Sequence, residues 1–309
     1  MVAGSACGKV ILLGEHAVVY GHPALCGALR DGVQIEAVPG SGILSVPAWG
    51  LRVSAVKASD GSDLARAYGA VLASLGIPPS ALHHDLVVRF SIPTGAGLGS
   101  SAALSVALAR ALGAILQIPL TPDQVARAAQ AAEEVFHGRC SGLDHTVAQQ
   151  GGFGLFRRPD GLVPLKAPPL PLCIGLTGRP RDTRGRVARV AELYRDRPVE
   201  TRTLFRRIEE LVEAAARAVT SGDLRALGTA MDENQVLLGQ LEVSCPEIDQ
   251  MCQLARSAGA WGAKLTGGGG GGCVIALSPG AEAAVHTAWR RAGFTSFDAT
   301  IGGVEALAA

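Results

Sequence analysis

A glycine-rich loop at residues 93–101, with the sequence PTGAGLGSS, constrains the fold of this chain more than any other feature. It follows the segment Leu86–Phe90, whose branched apolar side chains predict a β-strand, and it opens the apolar run Ser100–Leu116, which predicts a long helix. Three alternate glycines allow backbone N–H groups to curl round an anion, and the start of a helix directs partial positive charge at it. The sequence therefore predicts an anion-binding loop at a strand–helix junction.

The loop differs from both of the common nucleotide-binding loops. A P-loop needs GxxxxGK followed by Ser or Thr, and a dinucleotide fingerprint needs GxGxxG with an acidic residue about 20 residues later. Here Ser100 and Ser101 place two hydroxyl groups in the first helical turn, where a phosphate-bound Mg²⁺ would sit. The alternative interpretation, a flexible turn before a core helix, gives these serines no role.

Six consecutive glycines, Gly267–Gly272, form a second loop between Lys264-Leu265-Thr266 and the strand-like segment Cys273–Leu277. Ordering six glycines costs much conformational entropy, so such a run is typical of a backbone that approaches another group closely. A plain linker is the alternative interpretation of this segment.

Two further segments carry single residues with useful chemistry. The run GKVILLGEHAVVYG, residues 8–21, contains Lys9, Glu15 and His16, and the run SGLDHTVAQQGG, residues 141–152, contains Asp144. Taken singly, Lys9 is equally well a solvated charge, His16 a core histidine and Asp144 a turn carboxylate or helix cap. None of these residues identifies a site by itself.

The remaining patterns predict an α+β fold in two domains. Strands are expected at residues 9–13 and 172–176, and helices at residues 65–75, 204–219 and 122–137, the last opening with a capping box at Thr121-Pro122-Asp123-Gln124. Helices and strands do not alternate regularly, which favours α+β over a doubly wound sheet. Five prolines in residues 157–171 predict a boundary between an N-terminal domain with the phosphate loop, residues 1–165, and a C-terminal domain, residues 166–309.

Composition disfavours several classes of partner. The 28 Lys and Arg residues nearly balance the 27 Asp and Glu residues, so no global field favours nucleic acid or an anionic membrane. Seven cysteines without a CxxC pair argue against a zinc site or disulfide framework and favour a reducing, cytoplasmic setting. The apolar stretch Ala102–Leu120 contains Arg110 and Pro119, which predict a buried helix rather than a membrane span. Glu15 and His16 interrupt the apolar run near the N-terminus, which disfavours a signal peptide.

Together and in this order, the four segments resemble the GHMP kinases, the superfamily of galactokinase, homoserine kinase, mevalonate kinase and phosphomevalonate kinase. PTGAGLGSSAA resembles their phosphate loop, KLTGGGGGGC their C-terminal glycine motif, and GKVILLGEHAVVYG the N-terminal motif of the mevalonate kinases in particular. The similarity extends through SGLDHTVAQQGG and MDENQVLLGQLEVSCPEID, so it covers nearly the whole chain. It implies an N-terminal domain resembling part of ribosomal protein S5, a ferredoxin-like C-terminal domain and an active site in the cleft between them.

The resemblance also implies an activity, namely phosphorylation of the 5-hydroxyl of mevalonate with ATP and Mg²⁺. Ser101 and Glu133 are expected to hold Mg²⁺, and Lys9 is expected to pair with Asp144 beside the acceptor hydroxyl as the catalytic groups. The expected contacts to the ATP phosphates come from Gly95, Ala96, Gly97, Leu98, Gly99, Ser100 and Ser101. The expected acceptor pocket is lined by Glu15, His16, Asp144 and Thr266.

Other acceptors and one other class of function remain open at this stage. Galactokinases carry Thr-Asp after Gly-Glu-His, whereas this chain has Ala17-Val18-Val19, which disfavours a sugar. Phosphomevalonate or another small hydroxy acid is the alternative acceptor, and Arg181, Arg184 and Arg186 could form the basic cluster that a phosphorylated acceptor needs, or simply mark an exposed helix start. A non-catalytic sensor is disfavoured because every expected catalytic group is present. A small-molecule acceptor is the expected partner, without nucleic acid or membrane, and a homodimer is compatible with the sequence.

Helical geometry separates the neighbouring carboxylates Glu133 and Glu134, because adjacent helical residues point about 100° apart. Glu133 shares a largely apolar stripe with Ala129 and His137, so it is expected to face inward. Glu134 follows Gln130 on a polar stripe and is expected to face water. Only Glu133, eleven residues before Asp144, has the spacing that the resemblance requires of the metal ligand.

Overall fold

The computed structural model describes residues 1–57, 61–138 and 141–303. The strands in these ranges are β1 (Val2–Leu13), β2 (Ala24–Pro39), β3 (Ile43–Val46), β4 (Leu51–Ser54), β5 (His84–Phe90), β6 (Phe153–Arg157), β7 (Gly161–Leu165), β8 (Leu170–Leu176), β9 (Gly262–Thr266), β10 (Cys273–Leu277) and β11 (Thr295–Ile301). The α-helices are α1 (Asp63–Ser74), α2 (Ser100–Ile115), α3 (Pro122–His137), α4 (Leu143–Gln150), α5 (Thr183–Asp196), α6 (Pro198–Ser221), α7 (Leu224–Gln240), α8 (Pro246–Ser257) and α9 (Glu282–Arg291).

The long strand β2 organises the N-terminal half. β1 pairs with it in antiparallel register along one edge, while β6 and β5 pair with successive parts of its other edge. β3 joins β5 in parallel, and β4 closes the sheet on that side. Helix α2 packs across β1 and β2, so its N-terminus and the glycine loop before it lie close to the first strand.

The C-terminal half has a regular antiparallel sheet in the order β11-β8-β10-β9. Numbered within this half, the strand order is 4-1-3-2. Helices α5 to α8 connect its first two strands, and α9 connects the last two. This is the split βαβ arrangement of ferredoxin-like domains. The α+β prediction and the ferredoxin-like C-terminal half are therefore confirmed.

The two halves are joined through the sheet and the core. β2 and β11 meet at the pair Leu29 and Ile301, and the N–H of Gly302 donates to the carbonyl of Ala28 at 2.9 Å. One continuous apolar core contains Val10 and Leu29 from the first half together with Phe205 and Leu265 from the second. Because this core crosses residue 165, the predicted division there stays a prediction.

Side chains of helix α7 complete the open edge of β9. Asp232 accepts a hydrogen bond from the N–H of Ala263 at 2.8 Å, and Gln235 accepts one from the N–H of Leu265 at 2.9 Å. An exposed strand edge leaves unpaired backbone groups, which a covering helix can satisfy. The MDENQ segment therefore holds the strand that leads into the second glycine loop.

Most predicted elements are confirmed, with two corrections. The capping box at Thr121 is present with both of its hydrogen bonds, and the helix it opens has the expected bounds. β1 begins at Val2 rather than Lys9, because pairing with β2 makes a strand of small residues that have little β propensity of their own. The proline-rich segment contains β7, which pairs with β6 and, among the described strands, with no other, so its free edge tolerates Pro164.

Helix α2 is buried along most of its length, as its sequence predicts. Across the described residues, no helix has both the length and the apolarity that crossing a bilayer would require. Six cysteines are free and buried, namely Cys7, Cys26, Cys173, Cys245, Cys252 and Cys273. The seventh, Cys140, lies outside the described residues.

Candidate active site

The first glycine loop is held in place by β1. Gly95, Gly97 and Gly99 all have positive φ, a backbone conformation that residues other than glycine rarely adopt. A Cβ atom on Gly99 would lie only 2.7 Å from Cγ of Lys9, so glycine lets the loop cross the lysine stem. The backbone N–H of Lys9 donates to the carbonyl of Leu98 at 2.9 Å. One residue therefore anchors the loop with its backbone while its side chain points elsewhere.

Lys9 and Asp144 form an ion pair beside this loop. The Nζ of Lys9 lies 3.1 Å from Oδ1 of Asp144, and the exposed fractions of the two side chains are 3% and 33%. Asp144 lies in the first turn of α4, where the helix dipole favours a negative charge, and the N-cap position is taken by Gly142 without a side-chain hydrogen bond. The pair thus presents a carboxylate to solvent and keeps the ammonium group behind it.

A second carboxylate lies at the end of α3, next to the loop. Glu133 is 2% exposed and Glu134 is exposed, as their helical positions predict. His137, expected on the same inward face as Glu133, is instead 40% exposed, because its Nε2 turns to the Oγ of Ser101 at 3.0 Å. Oε2 of Glu133 lies 3.9 Å from the same Nε2. The two predicted metal ligands, Ser101 and Glu133, therefore both lie next to the imidazole ring of His137.

The electrostatics of this cluster favour a bound cation. Burial, and then the negative charge of Asp144, raise the pKa of Glu133 to about 7. Oε1 of Glu133 is buried and has no hydrogen-bond partner among the described residues. Burial and the positive charge of Arg181 lower the pKa of His137. A buried, unpartnered carboxylate oxygen is costly unless a cation or donor meets it.

The second glycine loop packs directly against the first. A Cβ atom on Gly97 would lie 3.5 Å from the carbonyl oxygen of Thr266, and one on Gly272 would lie 3.0 Å from that of Ala96. The carbonyl of Gly272 also accepts hydrogen bonds from the N–H and the hydroxyl of Thr177 at 2.9 and 3.0 Å. Glycine is needed because two backbones approach each other here, so the linker interpretation is wrong.

Thr266, expected in the acceptor pocket, has its hydroxyl occupied by the backbone. Its Oγ1 donates to the carbonyl of Ile11 at 3.0 Å and accepts from the N–H of the same residue at 3.1 Å. Thr266 is 2% exposed. The structure therefore places this hydroxyl as a link between β1 and β9.

Glu15 forms a second, sealed ion pair with Lys264. The two side chains are 1% and 0% exposed, and Nζ of Lys264 donates to Oε1 of Glu15 and to the carbonyl of Leu265. Burial raises the pKa of Glu15 and lowers the pKa of Lys264, while contact between the two opposes both changes. Oε2 of Glu15 is buried without a partner among the described residues.

His16 lies beside the start of α5. Its Nε2 is 3.0 Å from the carbonyl oxygen of Gly268, which can only accept, so Nε2 carries the proton. Burial, with a contribution from Arg186, lowers the pKa of His16 to about 4, so the ring is neutral at pH 7. His16 has a φ of 62°, an uncommon conformation for a residue with a side chain. Strain of this kind is concentrated at functional sites.

Sequence patterns miss one polar residue of this cleft, Thr183, whereas Arg186 is among the arginines that the sequence already singles out. Thr183 and Arg186 each have a buried atom without a hydrogen-bond partner among the described residues, Oγ1 and Nε. A Cβ atom on Gly268 would lie 2.7 Å from that Oγ1, so Thr183 faces the second glycine loop. Lys264 carries a detectable signal, since it is a lone charge in an otherwise apolar strand. Thr183 has no such signal, because only the fold brings it to the loop.

The three arginines near the start of α5 do not form a single group. Arg181 acts on Glu133 and His137: its positive charge opposes part of the burial-driven rise in the pKa of Glu133 and adds to the burial-driven fall in the pKa of His137. Arg186 donates to the carbonyl of Glu242 at 2.9 Å and acts on His16. Arg184 is exposed.

Comparison with known proteins agrees with this architecture. The family model "GHMP kinases N terminal domain" matches residues 63–152, and "GHMP kinases C terminal" matches residues 208–294. Mevalonate kinase of Pyrococcus horikoshii is 35% identical over 94% of this chain and 93% of its own length. Mevalonate kinase of Aeropyrum pernix is 36% identical over 88% of this chain and 87% of its own length.

A solved structure gives the same result. The crystal structure of L. major mevalonate kinase in complex with R-mevalonate superposes with a TM-score of 0.84 and 31% identity, covering 99% of this chain and 96% of that one. The chain therefore belongs to the GHMP kinase superfamily and, within it, to the mevalonate kinase family.

Proposed function

We propose that this chain transfers the terminal phosphoryl group of ATP to the 5-hydroxyl of mevalonate. The observation that carries the proposal is the ion pair of Lys9 and Asp144, which lies beside a glycine loop at a helix N-terminus and leaves the carboxylate 33% exposed. Relatives more than 30% identical over nearly the whole chain are mevalonate kinases, which supports this acceptor over other alcohols.

The chemistry needs charge neutralisation and an activated hydroxyl. Asp144 accepts the hydrogen bond of the acceptor hydroxyl and is placed to receive its proton. Lys9, held 3.1 Å away, offsets the negative charge that builds up between acceptor and phosphoryl group. Phosphoryl transfer depends mainly on such positioning and electrostatic stabilisation.

The nucleotide phosphates are proposed to bind the loop of residues 95–101. Helix α2 has Gly99 at its N-cap and no side-chain cap, so its first N–H groups are free to meet an anion. An aromatic cluster lies on the same side, with Trp49 centred 5.4 Å from Phe90 and 6.5 Å from Phe136. Phe136 precedes the His137 that contacts Ser101, so the cluster offers apolar aromatic surface for the adenine base.

Mg²⁺ is proposed to bind Ser101 and Glu133. A hydroxyl and a carboxylate are the hard oxygen donors that this ion prefers, and the buried Oε1 of Glu133 lacks any other partner among the described residues. When bound, the ion would neutralise charge on the ATP phosphates. The chain's own part is to hold these two oxygens at one end of the phosphate loop.

The acceptor pocket is proposed to lie between Glu15, His16 and the start of α5. Oγ1 of Thr183 is available to an acceptor hydroxyl, because it has no partner among the described residues, whereas the Glu15 carboxylate, sealed against Lys264, is proposed to form the wall of the pocket. Arg186 provides positive charge for the carboxylate of a hydroxy acid, and its Nε is likewise without a partner in the described chain. We therefore add Thr183 and Arg186 to the proposed acceptor residues, since the hydroxyl of Thr266 is taken up in linking β1 to β9.

An acceptor screen tests the proposal. Purified protein with ATP and Mg²⁺ is assayed for ADP release against mevalonate, phosphomevalonate, galactose and homoserine, and ³¹P NMR locates the product phosphate. We expect mevalonate to have the highest kcat/KM, with the phosphate on the 5-oxygen. A tenfold preference for another acceptor, about 1.4 kcal/mol in transition-state binding, would overturn the assignment. A preference for phosphomevalonate would point to Arg181 as the second phosphate contact.

The proposed setting is the cytoplasm. Six cysteines are free thiols in the described chain. One of them, Cys26, lies near the two lysine–carboxylate ion pairs of the site. A reducing compartment keeps such thiols from oxidation.

A further inference from the structure

A cluster of three metal-ligand types lies in the C-terminal half. Cys173 of β8, His286 of α9 and Asp298 of β11 place one sulfur, one nitrogen and one oxygen within 4.8 Å of one another. Cys173 and Asp298 are directly opposite in the antiparallel register, so their side chains lie on the same face of the sheet. Helix α9 packs on that face and brings His286 over them.

From this geometry, we propose that Cys173, His286 and Asp298 form a binding site for Zn²⁺. The proposal is independent of the kinase activity, because none of the three residues has a role in the reaction. Sequence spacing argued against zinc since it offered no pair of neighbouring cysteines. The fold instead assembles a mixed set of ligands from residues 173, 286 and 298.

The distances are close to those that a zinc ion needs. With Zn–S of about 2.3 Å and Zn–N or Zn–O of about 2.0 Å, tetrahedral ligands lie about 3.5 Å apart for S and O and about 3.3 Å apart for N and O. Here the Sγ of Cys173 is 3.8 Å from Oδ1 of Asp298, and the Nε2 of His286 is 2.8 Å from the same oxygen. A shift of about half an ångström would admit the ion between them.

Outer contacts orient the ligands in the way metal sites usually require. The Nδ1 of His286 lies 2.7 Å from the hydroxyl of Ser296, so a proton on Nδ1 has an acceptor and Nε2 is free to bind a metal. The hydroxyl of Ser278 lies 3.2 Å from the Sγ of Cys173 and can complete the coordination or hold a water. Three protein ligands with an open fourth position are typical of exchangeable zinc sites.

The local charge favours a cation. Asp298 and Glu282 place negative charge near the buried sulfur of Cys173, which disfavours the thiolate when no cation is bound. A divalent cation reverses this effect, since it stabilises the thiolate and pairs with the carboxylate. On binding, the thiol proton leaves to solvent, and the imidazole carries its remaining proton on Nδ1 toward Ser296. Asp298 is 74% exposed, which gives the ion an entry path from solvent.

Competition titration tests the site. The full chain, reduced and freed of metal, is titrated with ZnCl₂ against a chromophoric chelator of known zinc affinity. We expect one zinc per chain and at least tenfold weaker binding in each of Cys173→Ser, His286→Gln and Asp298→Asn. The matched controls are Cys245→Ser, at a helix N-cap where serine is favoured, and the exposed His83→Gln, both of which should bind like the unmodified chain.

Cobalt substitution identifies the sulfur ligand. Co²⁺ should give tetrahedral visible bands and a thiolate charge-transfer band, and the latter should be lost in Cys173→Ser but kept in Cys245→Ser. Zinc should raise the Tm of the unmodified chain and leave the Tm of Asp298→Asn unchanged. Mg²⁺ should not reproduce the effect of zinc on the unmodified chain. Because Asp298 is exposed, its Asn variant should fold even if the cysteine variant does not. No zinc binding by the unmodified chain, or unchanged affinity in His286→Gln and Asp298→Asn, would overturn the proposal.

Discussion

Two lysine–carboxylate pairs lie in the same cleft, and they differ mainly in their exposure to solvent. In the pair of Lys9 and Asp144, the carboxylate is 33% exposed at the mouth of the site. In the pair of Lys264 and Glu15, both side chains are at most 1% exposed. Chain order does not distinguish the two, since each joins a residue near the N-terminus to one far along the chain.

The difference shows which pair can do chemistry. A substrate can reach Asp144. Water can stabilise the Asp144 carboxylate when its contact with Lys9 changes, so the charge of the open pair can change during a reaction. The sealed pair cannot be hydrated, and removing one member leaves a buried charge that costs several kcal/mol. We expect the open pair to control the rate and the sealed pair to control stability.

The largest effect is expected from the open pair. Lys9→Met and Asp144→Asn should each lower kcat by about 10²–10⁴-fold, because both groups act on charge that develops in the transition state. ATP should still bind, which fluorescence titration or calorimetry can verify. The double variant should lose little more than either single variant. A double variant whose loss equals the product of the two single losses would mean that the groups act independently.

The sealed pair should respond in stability instead. Lys264→Met and Glu15→Gln should each lower the free energy of unfolding by about 3–5 kcal/mol, since each strands a buried charge. The double variant, which removes both charges, should recover most of that loss. Urea unfolding of the four proteins measures the coupling. Independent, additive losses would contradict the view that this pair is a single sealed unit.

The contrast between the pairs also shows which parts of the site can be predicted from the sequence. The phosphate loop and Glu133 follow from local patterns, because a glycine loop before a helix and a helical stripe each involve neighbouring residues. The contact of Glu15 with Lys264 joins residues 249 positions apart, so no local period can reveal it. Thr266 was predicted to meet the acceptor, but its hydroxyl binds the backbone of Ile11, 255 residues away. The packing of β1 against β9, which only the tertiary fold sets, decides that outcome.

Replacing Glu133 should lower activity less than replacing a member of the open pair. Its effect on stability should be opposite to that of replacing a member of the sealed pair. Glu133→Gln keeps the shape but removes the charge that a hard cation prefers, so it should raise the Mg²⁺ requirement and lower kcat about 10²-fold. Glu134→Gln is the matched control, because the Glu134 side chain is exposed and accepts a hydrogen bond from Gln130, and the change should alter stability by less than about 0.5 kcal/mol. Equal losses of activity in both variants would contradict the metal assignment.

The pH dependence of stability gives a separate test of Glu133. Its pKa of about 7 lies above the ordinary value of 4.5 for a glutamate, so the folded state holds the proton more tightly than the unfolded state. The stability that Glu133 adds to the folded state by binding this proton is therefore fully present below pH 4.5 and is lost as the pH rises to about 7. The loss is of the order of 3 kcal/mol for a buried group. Without nucleotide, Glu133→Gln should flatten this part of the stability curve, and an unchanged curve would show that the carboxylate is hydrated.

The smallest effect is expected at Thr183, where activity and stability should move in opposite directions. Its Oγ1 is buried and has no partner in the described part of the chain, so Thr183→Val, which keeps the shape, removes an unsatisfied group and should stabilise the ligand-free chain by up to about 1 kcal/mol. If the same hydroxyl binds the acceptor, its loss should raise the KM for mevalonate about tenfold and leave the KM for ATP unchanged. Thr183→Ser keeps the hydroxyl and should restore the acceptor KM. A rise in KM for both substrates, or a valine variant that is less stable, would indicate that Thr183 supports the second glycine loop rather than the acceptor. In that case Thr183 would belong with the sealed pair and not with the open one.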